Sequence, residues 1–318
     1  MFKSRRSAGL LAICALALAL PASANAGASH VLKLYKVEKH LDLDGDSSYS
    51  VSCNNGDYAV DGMFRIDQVD QDNDWPGNIL TAVQVYKAAP DSSDKSKYVF
   101  ELENTAGGDA QAKLWVTCLG KSTVGGNSQV TFNLGSRVST SWSSAANPIY
   151  GGFANSGDEC ASDEIAVAPG YEFTSGTGRL VASRTSLAGD AGTSIGRNWS
   201  MVFALDGSAQ WKTYFRCLQL RSNPVGGHRN RIVVQRIGGA PTPNVSISAG
   251  HTKEVQSSCG EVYKGMVHGF DTTPSYAQHL WFFGMDPRIK TRAYRFYNDD
   301  ASPIKVWTGL TCFKDKTN

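Results

Sequence analysis

Several features are missing from this sequence, and each absence removes a class of protein. No C-x-x-C pair occurs and no Cys lies close to a His, so a structural zinc site has no ligand spacing to use. The six His stand at 30, 40, 228, 251, 268 and 279, with no i, i+4 pair, so no His metal site is expected. There is no phosphate loop, no dinucleotide fingerprint and no paired-carboxylate pattern shared between parts of the chain, so no cofactor is expected. Past the N-terminus no apolar run reaches the length of a membrane helix, and none is expected in the mature chain. No 12-residue segment has a clean helical period, although a few helical turns fit near Tyr276–His279. Only 19% of residues are charged, and the basic ones are scattered rather than in a run, so no nucleic-acid partner is expected.

What is present is glycine, a targeting segment and an even set of cysteines. Gly reaches 32 of 318 residues, in clusters such as Gly107-Gly108, Gly151-Gly152 and Gly238-Gly239, which suit turns between short strands. Residues 1–26 read as a signal peptide: Lys3, Arg5 and Arg6 precede the apolar run Ala8–Leu20, and Ala24-Asn25-Ala26 supplies the cleavage site. General secretion is expected. The residues after Arg5-Arg6 do not follow the twin-arginine pattern, and Ile13 is too large before Cys14 for a lipoprotein site.

Without Cys14, six cysteines remain, and an even count in an exported chain points to disulfides. The first of each pair steps by 107 and 99 residues (Cys53, Cys160, Cys259), and the second by 99 and 95 (Cys118, Cys217, Cys312). That period makes the chain a repeat and selects one connectivity among fifteen: Cys53–Cys118, Cys160–Cys217, Cys259–Cys312. Each bridge closes a long loop and contributes about 4 kcal/mol on the chain-entropy account.

The repeat divides the mature chain into units at 27–126, 127–222 and 223–318. Each opens with an alternating strand: Val31–Val37, Val130–Leu134, Arg231–Ile237. Each carries a ring eleven residues beyond its first Cys: Phe64, Tyr171, Phe270. Each closes on a strand that ends in its second Cys, with Val116, Phe215 or Leu310 two residues earlier on the same face. Upstream of these lie Tyr98–Leu102, Met201–Leu205 and Tyr294–Tyr297, each followed by a turn, so the end of every unit reads as a hairpin. The expected fold is all-β: three tandem antiparallel β-sandwich repeats of jelly-roll or Ig-like kind, with one disulfide each. The sequence leaves open whether the units touch.

The repeated rings, and Trp115, Trp211 and Trp307 near the second Cys, are expected to pack in cores rather than to hold ligands. Charge is uneven. The first unit has nine basic and fifteen acidic residues, the second seven of each, the third twelve and seven. Motifs that carry chemistry are weak. Gly192–Gly196 matches G-x-S-x-G around Ser194, but the flanking residues do not supply the strand and helix of a nucleophile elbow. Asp206, His228 and His251 lie downstream as nominal triad partners. Asp42, Asp44 and Asp46 resemble the start of a calcium loop, but Gly45 is at loop position four and Cys53 at twelve, so an ordinary polar turn is expected.

Repetition without a shared polar constellation supplies surface rather than chemistry. The expectation is therefore a bacterial, non-enzymatic protein of the secreted, cell-surface or periplasmic space, acting in adhesion or surface binding, with a glycan or cell-surface component as partner. One alternative is a self-assembling extracellular subunit joined acidic end to basic end, with copies of itself as partner. A second is a secreted serine hydrolase using Ser194.

Overall fold

Strand formation follows the period-two burial of the sequence. In Lys97–Asn104, for example, half-buried and buried positions alternate without a break. The computed structural model describes residues 32–43, 45–69, 82–105, 110–123, 129–144, 150–153, 159–185, 196–225, 229–238, 244–261, 263–272 and 278–317. Residues 1–26, read above as a signal peptide, lie outside these, as do Ser194, His228 and Asp44.

The first unit contains β1 (Leu34–Leu43), β2 (Asp46–Ser52), β3 (Tyr58–Val69), β4 (Val83–Pro90), β5 (Lys97–Asn104) and β6 (Ala110–Leu119). The second contains β7 (Leu134–Ser144), β8 (Tyr150–Phe153), β9 (Glu164–Ser175), β10 (Gly178–Thr185), β11 (Trp199–Leu205) and β12 (Ala209–Gln219). The third contains β13 (Asn230–Gly238), β14 (Asn244–Ile247), β15 (Thr252–Ser258), β16 (Lys264–Thr272), β17 (Leu280–Pro287), β18 (Thr291–Asn298) and β19 (Ile304–Thr317). β14 is an addition that pairs with β19. The opening strand of the second unit begins at Leu134, and the expected Val130–Leu134 segment is instead a buried lead-in through Val130 and Phe132.

Every unit splits into two antiparallel triplets. In the first unit these are β1-β6-β3 and β2-β5-β4, and the other units repeat the order. The triplets then recombine between units. The three sheets run β1-β6-β3-β17-β18-β15, β13-β19-β16-β10-β11-β8 and β2-β5-β4-β9-β12-β7. Each sheet thus joins one triplet from one unit to one triplet from another. The exchange is cyclic, so the third unit closes on the first. The sandwich-like arrangement encloses one main core with residues of all three sheets.

The junctions are short. Arg65 of β3 pairs with Gly284 of β17, Ser183 of β10 with Phe270 of β16, and Lys87 and Ala88 of β4 with Glu172 and Tyr171 of β9. Two glycines permit the close approach. A Cβ on Gly284 would lie 2.0 Å from the Phe64 carbonyl oxygen, and its φ of +101° already disfavours a side chain. A Cβ on Gly170 would lie 2.6 Å from the Ala88 oxygen.

One disulfide staples each unit: Cys53–Cys118, Cys160–Cys217 and Cys259–Cys312. The first Cys of each pair directly precedes β3, β9 or β16, and the second lies in the closing strand β6, β12 or β19. The repeated rings are in the core, with Phe64, Tyr171 and Phe270 at 3%, 1% and 1% exposure. They meet other rings: Phe64 meets Phe282 of the third unit, Tyr171 meets Phe203, and Phe270 meets Phe282 at 4.2 Å. Trp115 and Trp211 are buried and Trp307 is half-buried.

Candidate functional site

Because the scaffold repeats, the places to search are equivalent positions that hold different side chains. The junctions give the alignment: Ala88 in β4 corresponds to Ser183 in β10 and Met285 in β17. The same count matches Val83-Gln84-Val85 with Gly178-Arg179-Leu180 and Leu280-Trp281-Phe282. Just beyond, each of the three hairpins is interrupted by a bulge, after Val85, Leu180 and Phe282.

These three strand starts converge on a groove of about 490 Å³, counting the space open to solvent at its mouth. Phe64, Ile66, Tyr171, Leu180 and Phe282 supply its apolar wall. Gln84, Arg179 and Trp281, one from each unit, supply what differs, and Asp206 joins them. The Arg179 guanidinium lies 4.1 Å from the half-buried Trp281 ring centroid, a cation–π contact worth about 0.5–1 kcal/mol. Arg179 Nε donates to the Leu280 carbonyl at 3.2 Å, and Arg179 is 3.8 Å from Asp206. Burial pulls the Arg179 guanidinium below its usual value, against the pull of Asp206 and Asp299. Trp281 Nε1 donates to Asp299 at 2.7 Å, and His279 Nδ1 bonds the other oxygen of that carboxylate at 2.9 Å. The result is a fixed ring beside fixed hydrogen-bonding groups over an apolar floor, the usual chemistry of a small-ligand site.

A second constellation is internal. Asp61 of β3, Ser183 of β10 and His268 of β16, one from each unit, form a hydrogen-bonded chain. His268 Nδ1 lies 2.7 Å from Asp61 Oδ1, and Nε2 lies 2.9 Å from Ser183 Oγ. The carboxylate only accepts, so Nδ1 carries the hydrogen, and in the neutral ring Nε2 accepts from the serine hydroxyl. Trp199 Nε1 donates to the same Ser183 Oγ at 2.9 Å. Asp61 Oδ2 accepts the His268 backbone N–H at 3.1 Å and sits 3.4 Å from Arg292, which also donates to Thr117 Oγ1 at 2.9 Å. Asp61 and Ser183 are 0% exposed and His268 1%. Where such a trio opens to solvent it can activate a serine. Here the serine oxygen already holds two hydrogen bonds and has no exposed surface.

Trp199 belongs to another set of equivalent positions. Tyr98, Trp199 and Arg292 pair with Pro90, Thr185 and Pro287, each two residues past the junction position. Each is large with a polar tip, and each tip finds a buried partner: Tyr98 OH donates to the Pro169 carbonyl, Trp199 to Ser183, Arg292 to Asp61.

The sequence candidates fare differently. Ser194 lies outside the described residues. Asp206 bonds Thr177 and lies in the groove, while His251 is exposed and bonds the Ala249 carbonyl. Asp42 is exposed on β1, and Asp46 begins β2 beyond the Gly45 turn. Among the described residues one group has metal-ligand proximity, Cys160, Glu164 and Cys217, and its two sulfurs are joined in a disulfide. Sequence reasoning missed Asp61 and Ser183, which stand 122 residues apart. His268 gave a signal, since Gly62 and Pro169 occupy its equivalent positions. No known protein family and no curated protein matches this chain.

Proposed function

We propose that this is an exported, non-enzymatic binding protein whose ligand site is the groove formed by Gln84, Arg179, Trp281 and Asp206. The observation that carries this reading is the convergence of three equivalent strand starts that carry three unlike side chains. The shared positions build the fold; the unlike ones have no equivalent role in it. Export is supported by three disulfides, which fit a non-cytoplasmic protein, and by the signal-like N-terminal sequence. Among the described residues no helix is long and apolar enough to cross a membrane.

A saccharide suits the groove. A sugar's C–H face packs on a flat indole while its hydroxyls bond to guanidinium, carboxylate and amide groups, here Arg179, Asp206 and Gln84. Among the described residues no aromatic ring is fully exposed, and Ile289 is the one exposed large apolar side chain. Sugar stacking at this half-buried ring therefore fits better than stacking across an open face. The complete burial of Ser183 supports the non-enzymatic reading.

The test is a glycan array and cell-wall pull-down with the mature protein and its Trp281→Ala and Arg179→Ala variants. Retention by a defined glycan, weakened at least tenfold in both folded variants, is the expected outcome. Binding that ignores both substitutions, or no retention on either support, overturns the reading.

A further inference from the structure

In the sheet that joins the second and third units, β10, β16, β19 and β13 line a shallow recess that opens to solvent. Its location is set by missing side chains. Gly269 of β16 and Gly309 of β19 are paired across the ladder, so no side chain fills the space above them. Arg184 of β10 and Arg236 of β13 line the pocket, with Thr185, Thr311 and Asp271. Arg184 is ion-paired to Asp271 at 2.5 Å. Arg236 has no ion pair or hydrogen bond among the described residues; its nearest compensation is the longer-range field of Asp271. Two guanidiniums thus share one carboxylate in a partly desolvated recess. His268, which also lines the recess, spends both ring nitrogens on Asp61 and Ser183.

We infer that this recess is an oxyanion-binding site, in which the Arg236 guanidinium takes a sulfate, phosphate or carboxylate group and Thr311, its partner across the β13–β19 ladder, stands beside it. The guanidinium fork matches two oxygens of such a group and carries five donors. A partly buried cation without a carboxylate of its own is the situation that a bound anion relieves. Burial and the neighbouring Arg184 both weigh against the charge on Arg236, with Asp271 opposing them. The site is separate from the Trp281 groove and stands whether or not a glycan binds there.

Titration calorimetry of the mature protein with sodium sulfate, sodium phosphate and glucuronate tests it, with sodium chloride holding ionic strength constant. Saturable binding of at least one anion is expected, with affinity reduced at least tenfold in Arg236→Gln. Binding of sulfate or phosphate alone assigns the site to a tetrahedral ion, and of glucuronate to an acidic sugar. Arg236→Lys keeps the charge but loses the fork, and weaker binding in it supports the site even if Arg236→Gln does not fold. Absence of saturation for all three anions, or equal affinity in the wild type and a folded Arg236→Gln or Arg236→Lys variant, overturns the inference.

Discussion

His268 shows what a single residue does in this scaffold. Gly62 leaves room for the Tyr98 ring in the first unit, and Pro169 gives its carbonyl to the Tyr98 hydroxyl in the second. His268 instead links Asp61 of one unit to Ser183 of another. Ser183→Ala leaves the Trp199 N–H and His268 Nε2 buried without partners, a cost of about 1–3 kcal/mol. Urea denaturation should show that loss, and a fluorophosphonate serine probe should leave Ser183 unlabelled in the folded wild type. Labelling at Ser183 with no stability change on substitution would contradict a structural role.

Asp91 carries a pH effect. Burial alone would raise its carboxyl, but the backbone N–H groups of Asp94 and Ser93 and the Lys97 ammonium outweigh that and hold it well below the usual carboxylate range. A carboxyl depressed by folding stabilises the protein above its unfolded value and loses that contribution as pH falls through the folded one. The stability gap between wild type and Asp91→Asn should therefore be full near pH 7 and shrink below about pH 4. A gap that stays constant down to pH 3 would refute the assignment.

At the scale of elements, the closing strands, the Cys pairing and the buried face of each strand were legible because they are local and periodic. The partner of each face was not. Period two says which side chains point inward, but not which strand they meet. The hairpin before each closing strand illustrates the limit. By sequence, Tyr98 lines up with Met201 and Tyr294; by ladder position, Phe100 does. A slip of two residues leaves the face unchanged, so periodicity cannot detect it. The groove was illegible for the same reason, since Gln84, Arg179 and Trp281 meet only once strands from all three units converge. Gly284 tests the junction account. Gly284→Ala places a methyl against the Phe64 carbonyl in the β3–β17 seam, where φ is also positive. The expected cost exceeds the roughly 1 kcal/mol of an ordinary Gly→Ala strain and falls on the contact between the first and third units. Hydrogen exchange should show faster exchange at β3 and β17 before β7 and β12; unchanged protection there would count against it.

At the scale of the whole molecule, the exchange of triplets makes three repeats into one closed body. Acidic and basic units meet inside the chain rather than at opposite ends, and at their seam Arg65 lies 3.9 Å from Glu254 and 3.8 Å from Asp286. A tandem array with independent cores would unfold in steps, whereas units that share every sheet stand or fall together. The most direct test is urea unfolding of the mature protein, followed at once by tryptophan fluorescence and far-ultraviolet circular dichroism, alongside a fragment of residues 127–222. The account predicts one coincident transition for the whole chain and no cooperative transition for the fragment. Separate transitions, or a fragment that unfolds cooperatively by itself, would contradict it.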